Sequence, residues 1–351
     1  MKQRIDILKR LLKKRRLDSL LVSYPANVSY LAGFPTQDSY LLVTSEKSFL
    51  ITDFRYIAEY SNLLKDSNIQ IIEINKSLIL TLEELCKKCR LKTIGFEREH
   101  IGLSFYEKLS SVFSKKLIPT SNLIENLRII KDNNEVKAIK KAINLTLNTF
   151  KYIETILKPG KRELEIAAEI ERFIRLNGAS NSAFDIIVAS GLNSSFPHAK
   201  KTNRIIRNNE PVLFDIGVDL EGYKSDLTRV CFLGKMDAQF KSIYNIVKAT
   251  QKTAISHIKA GISIKEIDSQ ARSFIAKKGY AECFKHSLGH GLGLETHEAP
   301  RVNQTNKDKF KEGMVITVEP AIYLTNKFGV RIEDVVLVTS TGAEVLSATS
   351  N

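Results

Sequence analysis

No apolar run in these 351 residues approaches the ~20 residues a helix needs to cross a bilayer, which excludes a membrane channel. The opening segment MKQRIDILKRLLKKRR is basic, but charge interrupts its apolar residues and it has no signal-peptide core. Cysteine is scarce: four residues make no disulfide framework, and all four suit a reducing compartment, so a cytoplasmic protein is expected. Cys86 and Cys89 form a CxxC, but it lies in LEELCKKCRLK, which reads as a helix, and no second pair accompanies it. That context speaks against zinc or thioredoxin-like chemistry. Cys231 and Cys283 sit among apolar neighbours and read as buried filler. Internal repeats and low-complexity linkers are also missing, which removes collagen, mucin and disordered tails from consideration.

Hydrophobic residues make up 43% of the chain, enough for a sizeable core, and at ~100–200 residues per domain the length suggests two domains. The net charge is +14, from 53 basic and 39 acidic residues, a balance that invites a nucleic-acid reading. Its distribution does not favour one. Residues 1–125 carry 20 basic against 14 acidic side chains, and residues 126–351 carry 33 against 25. The one local cluster is Lys9, Arg10, Lys13, Lys14, Arg15 and Arg16, beside Ile5, Leu8 and Leu12 at helical spacing. It is read as the wet face of an amphipathic helix rather than a polyanion site. Neither a nucleic acid nor a membrane is expected as a partner.

The first third alternates β-branched runs (SLLVSY, YLLVTS, SFLITD, IQIIEI, TIGFE) with helical stretches, an α/β pattern able to form its own small domain. The helical stretches are the opening segment, Tyr56–Lys65, LILTLEELCKKC and LSFYEKLSSVF. The boundary is placed in PTSNLIENLRIIKDNNEV, giving domains 1–125 and 126–351. Beyond it the texture changes. Val136, Ile139, Ile143, Leu147, Phe150 and Leu157 mark a helix introduced by Asn133 and Asn134 and stopped at Pro159-Gly160. Ile166, Ile170, Phe173 and Ile174 mark a second, ending at Asn177-Gly178, and two more are expected at about 237–260 and 263–278, the last opening with a Ser263/Glu266 capping box. Strand-like runs accompany them: DIIVAS, PVLFDIGV, SDLTRVCFL, MVITVEPAIYL and RIEDVVLVT. The second domain is therefore α+β, with helices backing a mainly antiparallel sheet.

Four carboxylates interrupt these apolar runs: Asp215 in VLFDIGV, Asp226 in KSDLTRVCF, Glu319 in VITVEPAIY and Glu333 in VRIEDVVLV. Strand interiors favour β-branched and aromatic residues, and a buried carboxylate needs a cation or strong donors. Asp215 and Asp226 flank a turn at Glu221-Gly222-Tyr223, so a hairpin would bring both to one end of a strand pair. KHSLGHGLGLETHEAP supplies His286, His290 and His297, with glycines bracketing His290, which argues for backbone passing close to something. Each residue alone has an ordinary alternative, as an edge aspartate or a satisfied histidine, and Asp219 and Asp334 could be exposed alternates. Together they suit two divalent ions ~3.5–4 Å apart that share a water and raise its acidity. The hard, oxygen-rich donor set favours Mn2+ or Co2+ over structural zinc, with Zn2+ an alternative.

With these residues in view, the chain resembles the pita-bread metallopeptidases, in the branch of aminopeptidase P and Xaa-Pro dipeptidase (prolidase). The stretches that carry the resemblance are FDIIVASG…SFPHA, LFDIGVDLEGYKSDLTR, HSLGHGLGLETHEAPR, GMVITVEPAIY and GVRIEDVVLV. ANVSYLAGF and LITDFRYIAEY echo the companion creatinase-type N-terminal domain. The resemblance implies a curved, mainly antiparallel pita-bread sheet after a smaller α/β domain. It also implies a metal set of Asp215, Asp226, His290, Glu319 and Glu333, with Asp226 and Glu333 bridging. Glu319 would accept a proton from the attacking water, and His198 and His297 would flank the scissile carbonyl. Arg331 would order one side of the pocket, and Arg301 resembles an arginine that binds a free proline carboxylate. Thr228 is expected beside Asp226, while His286 and His257 are left structural.

The activity implied is metal-assisted hydrolysis of Xaa-Pro bonds, releasing the residue before proline from small peptides, with a homodimer expected. A strict dipeptidase is the alternative, followed by a methionine aminopeptidase and a non-catalytic basic scaffold.

Overall fold

A computed structural model of the chain describes residues 2–113 and 116–348. The chain divides into two compact units that part between Arg128 and Ile129. Among the described residues no helix is long and apolar enough to cross a membrane.

The first unit is a six-stranded sheet: β1 (Ser19–Val22), β2 (Tyr40–Thr44), β3 (Ser48–Thr52), β4 (Ile69–Glu73), β5 (Ile94–Glu97) and β6 (Leu117–Thr120), in the order β4-β3-β2-β1-β5-β6. β1–β2 and β2–β3 are antiparallel, and the other pairs are parallel. β1, β3 and β5 are buried throughout, the signature of a sheet covered on both faces. The helices are α1 (Lys2–Lys14), α2 (Pro25–Ala32), α3 (Phe54–Leu64), α4 (Leu78–Lys88), α5 (Leu103–Phe113) and α6 (Glu125–Arg128). α1 buries Ile5, Leu8 and Leu12, the spacing read from the sequence, and its basic residues include Lys13 and Lys14 in the last turn, where they complement the helix dipole. Cys86 is buried in α4 and Cys89 follows as its C-cap, both as free thiols. Burial pushes the Cys86 thiol up to about 11.

In the second unit the long helices are α7 (Asn133–Ile156), α8 (Glu163–Leu176), α9 (Ala238–His257) and α10 (Ile264–Lys277). α7 starts where expected, with Asp132 and Glu135 forming a reciprocal capping box. The capping box expected at Ser263 does not form, since the Ser263 side chain makes no cap hydrogen bond. The strands are β7 (Asn181–Ser182), β8 (Ile187–Ser190), β9 (Glu210–Ile216), β10 (Val218–Leu220), β11 (Tyr223–Lys224), β12 (Leu227–Leu233), β13 (Gly289–Gly291), β14 (Glu298–Val302), β15 (Val315–Val318), β16 (Ala321–Leu324), β17 (Phe328–Arg331), β18 (Asp334–Val338) and β19 (Ala343–Val345). Their ladders, β11-β10-β7, β12-β9-β8, β14-β13-β15-β18-β19 and β16-β17, are antiparallel throughout. One core packs α9 and α10 against β15 to β18, and another packs α7 and α8 against β8 and β9. Family architecture and α+β class follow the sequence reading.

Two expected strands break at functional positions. MVITVEPAIYL splits at Glu319-Pro320 into β15 and β16, because proline offers no N–H to a ladder. RIEDVVLVT begins a strand only at Asp334, leaving Ile332 and Glu333 between β17 and β18. Asp226 likewise precedes β12. Of the four carboxylates expected inside strands, only Asp215 lies within one, and the other three sit at strand ends.

Candidate metal centre

Strand ends free backbone from ladder pairing while single hydrogen bonds keep it in place. Glu319 N donates to Leu288 O (2.8 Å) and Glu333 N to Thr228 O (3.2 Å), tying neighbouring ladders together. The Glu221-Gly222 turn, with positive φ at both residues (54° and 86°), reverses the chain between β10 and β11. The β9–β12 ladder pairs Thr228 with Asp215 and Leu227 with Ile216, which sets Asp226 beside the end of β9. All five residues assigned to metal in the sequence reading line a single cavity of about 600 Å³.

Within that cavity Asp226, His290 and Glu333 bring ligand atoms within 4.8 Å of one another. His290 Nε2 lies 3.5 Å from Asp226 Oδ2 and 3.4 Å from Glu319 Oε1. Asp215 and Glu319 line the same cavity outside the tight trio. Asp226 and Glu333 are 5% and 2% exposed, so they are desolvated and also crowd one another. Burial, then Glu333, Asp215 and Glu319, hold the Asp226 carboxyl far above the usual range. Burial, then Glu319 and Asp215, do the same to Glu333, and Glu319 is pushed up to about 8.

A divalent cation fits this donor set on three observations. Asp215 Oδ1 is buried with no hydrogen-bond partner among the described residues. His290 Nδ1 is 3.0 Å from Gly291 O, so the ring proton goes to that carbonyl and the Nε2 lone pair faces the carboxylates, the tautomer a metal ligand requires. Burial, followed by His297, lowers His290 to about 4, keeping it neutral. Asp219 also leaves Oδ1 without a hydrogen-bond partner among the described residues, but it and Asp334 lie outside the cavity lining and pair with Lys224 and Arg229.

Arg331 organises the acidic wall. Its Nη2 donates to Asp215 Oδ2 (2.5 Å), Nε to Thr228 Oγ1 (3.0 Å), and Nη1 to Pro197 O (3.1 Å) and the Tyr323 hydroxyl. Burial opposes its charge, but Tyr323, Asp215, Glu319 and Glu333 hold it well above its ordinary value. Thr228 Oγ1 donates to Glu333 Oε2 (2.7 Å). The expected Thr228–Asp226 partnership is thus corrected: Thr228 follows Asp226 by two residues, and its side chain reaches the carboxylate of the adjoining β17–β18 connection.

His198, His297 and Arg301 all line the cavity. The His297 ring lies tilted beside that of His290, with centroids 4.3 Å apart, and burial, then Arg301, lowers its pKa. His286, read as structural, also lines the cavity, as does Tyr323, which the sequence reading passed over. Their contact (His286 Nε2 to Tyr323 Oη, 3.4 Å) closes one wall. Burial, then Arg331, lowers His286 to about 4. Both sat inside recognised stretches, His286 four residues before His290 and Tyr323 four after Glu319. His257 lies at the end of α9, outside the cavity.

Comparisons with known proteins identify the family. Residues 137–340 match the model of metallopeptidase family M24, and residues 4–130 match that of the creatinase/prolidase N-terminal domain. A Xaa-Pro dipeptidase from Pyrococcus horikoshii is 36% identical, covering 99% of this chain and 98% of its own. Among solved structures, a Xaa-Pro dipeptidase from Bacillus anthracis superimposes with TM-score 0.95 at 36% identity, covering 100% of this chain and 98% of the other. An X-Pro aminopeptidase from Thermotoga maritima gives TM-score 0.91 at 35% identity, with 98% of each chain covered. This chain belongs to metallopeptidase family M24, with a creatinase/prolidase N-terminal domain.

Proposed function

We propose that the chain is an exopeptidase that hydrolyses Xaa-Pro bonds, with Asp215, Asp226, His290, Glu319 and Glu333 holding two divalent ions. The observation that carries this is the donor set: crowded buried carboxylates, one orphaned Asp215 oxygen and a neutral imidazole with its lone pair aimed at them. Xaa-Pro peptidases recur among the relatives. The ions, when bound, supply Lewis acidity that raises the acidity of water and polarises the scissile carbonyl. An oxygen-rich set with one imidazole favours Mn2+.

The chain's own residues do the remaining work. Glu319 accepts the proton released by the attacking water on a carboxylate oxygen at the cavity wall, 3.4 Å from His290. His198 and His297 hold the carbonyl oxygen and the charge that develops on it. Arg331 keeps one Asp215 oxygen engaged so that the other faces the cavity. The Tyr323 and His286 rings, tilted 55° to one another, offer an angled aromatic corner to a proline ring, which brings no N–H needing an acceptor.

Peptides longer than two residues are the favoured substrates in this reading. The dipeptidase reading is supported by Arg301 on the cavity wall, a cation suited to a free proline carboxylate. After metal stripping, Ala-Pro and Ala-Pro-Ala are offered with and without added Mn2+. Cleavage of the tripeptide only with metal is expected. Turnover of the dipeptide alone selects the second reading, and no cleavage of either overturns the proposal. The expected homodimer is tested by light scattering of the same preparation.

A further inference from the structure

Glu163, at the first position of α8, touches none of the cavity groups, yet its carboxylate is completely buried. Oε1 accepts from Ser190 N (2.7 Å) and Ser190 Oγ (2.8 Å). Oε2 accepts from Asn193 Nδ2 (2.9 Å), Thr202 N (3.1 Å) and Thr202 Oγ1 (2.7 Å). Five donors converge on one side chain, and they come from both ends of the segment 190–202 whose middle carries His198. Asn193 Nδ2 extends the clamp by also donating to Lys200 O (3.0 Å). The α8 backbone follows the same line, with Glu163 N donating to Arg204 O and Leu164 N to Thr202 O (3.1 Å each). On the cavity side the segment meets Arg331, which donates to Pro197 O, and Gly329, whose N donates to Ser194 Oγ (3.0 Å).

We infer that Glu163 is the positioning residue for His198: by closing the base of segment 190–202 it sets where that imidazole stands on the cavity wall. The physical ground is the cost of burying a carboxylate, which is offset only while every donor stays in place. His198 itself lies on an exposed stretch, Phe196 to His198, with little packing to hold it, so the clamp supplies the order that packing does not. An amide at position 163 would present an NH2 group to a ring of donors and break the closure on one side. The inference rests on the role proposed above for His198.

The test uses the metal-loaded full chain with Glu163→Gln, the milder Thr202→Val, His198→Ala and the double variant E163Q/H198A. Hydrogen exchange should show lost protection in 191–202, with 286–298 unchanged, in both E163Q and T202V. In E163Q kcat for an Xaa-Pro peptide should fall about 10²-fold, the cost of a small misplacement of a reacting group, with little change in KM or metal affinity. E163Q added to H198A should cost nothing further. Unchanged protection in both E163Q and T202V overturns the inference, as do multiplying losses in the double variant or full activity in H198A. If the unaltered chain cleaves no Xaa-Pro peptide, the functional reading fails, and the exchange experiment still decides whether Glu163 holds the segment.

Discussion

Glu97 in the first unit and the cavity carboxylates Asp226 and Glu333 in the second are all buried, but in opposite surroundings; Glu163 of the second unit, met by its own donors, sides with Glu97. In the first unit Glu97, 6% exposed, accepts from Ser23 N (2.6 Å), Tyr24 N (2.8 Å), Ser23 Oγ (3.2 Å) and Asn27 Nδ2 (2.7 Å). It holds the residues that lead into α2, whose N-cap residue Tyr24 has no capping side chain, and lies near the positive end of the helix dipole. Burial raises the Glu97 pKa and nearby Glu125 adds to the rise, but Asn27 and the two backbone donors pull it back. In the second unit Asp226 and Glu333 face other carboxylates, and their neighbours add to the shift that burial begins. Glu97 is a closed account in which local donors meet the desolvation cost. At the metal centre the chain's own donors leave part of that cost unmet, and bound cations, or protons in the metal-stripped chain, meet the rest. A buried carboxylate thus signals a ligand site only where its surroundings repel it.

That contrast can be broken most severely at Glu333. Glu333→Ala is expected to abolish cleavage, a loss larger than the about 10–100-fold typical of outer-shell partners, as measured by Xaa-Pro turnover and metal stoichiometry. Glu97→Gln should leave kcat unchanged and destabilise the fold by about 1–3 kcal/mol, the cost of a disturbed buried donor set, read by denaturant unfolding.

The second expectation concerns pH and metal. Folded Glu319 sits near 8 against an ordinary 4.5, and a raised folded value contributes stability that is present below the unfolded pKa and lost as pH rises through the folded one. The metal-stripped chain should therefore lose stability between about pH 4.5 and 8. Metal should restore it, most at the alkaline end, by about 2.7 kcal/mol at 100-fold excess over Kd. Thermal melts across that range with and without Mn2+ check the sign, and equal metal stabilisation at pH 5 and 8 would contradict it.

Smaller still is Thr228→Val, which removes the donor to Glu333 and the acceptor for Arg331 while keeping the shape. A drop of about 10-fold in kcat/KM is expected, toward the low end for an outer-shell partner. Finally, Glu97→Gln should flatten a modest loss of stability in the metal-loaded protein as pH rises above the ordinary carboxylate range, since Glu97 is also raised on folding. Metal-loaded melts of both proteins compare the slopes.

Much of the architecture was legible because burial writes periodicity into sequence. Ile5, Leu8 and Leu12 marked α1, and the runs 40–44 and 48–52 marked β2 and β3. The helix α2 was not anticipated: eight residues with a weak apolar stripe, announced only by Pro25 at its start and Gly33 in the left-handed conformation (φ 83°) at its end. The acidic positions that line the cavity stood out because carboxylates are rare in apolar runs, yet their seats at strand ends were hidden until Pro320 and Ile332 were placed in ladders. Thr228, Tyr323 and Glu163 act through partners more than 100, 8 and 27 residues away respectively, and no local pattern encodes which partner a hydroxyl or carboxylate will find.

The glycines on either side of His290 have a consequence for mutational tolerance. A side-chain carbon at Gly289 would strike the Thr317 carbonyl, and one at Gly291 the Ala299 carbonyl. β13 therefore consists of one imidazole between two positions closed to every other amino acid by neighbouring backbone. Its flanking strands can vary among apolar residues of similar volume, whereas a saturation library across 289–291 should return almost only the parental sequence. A segment with so little side-chain mass is the least substitutable stretch of its sheet.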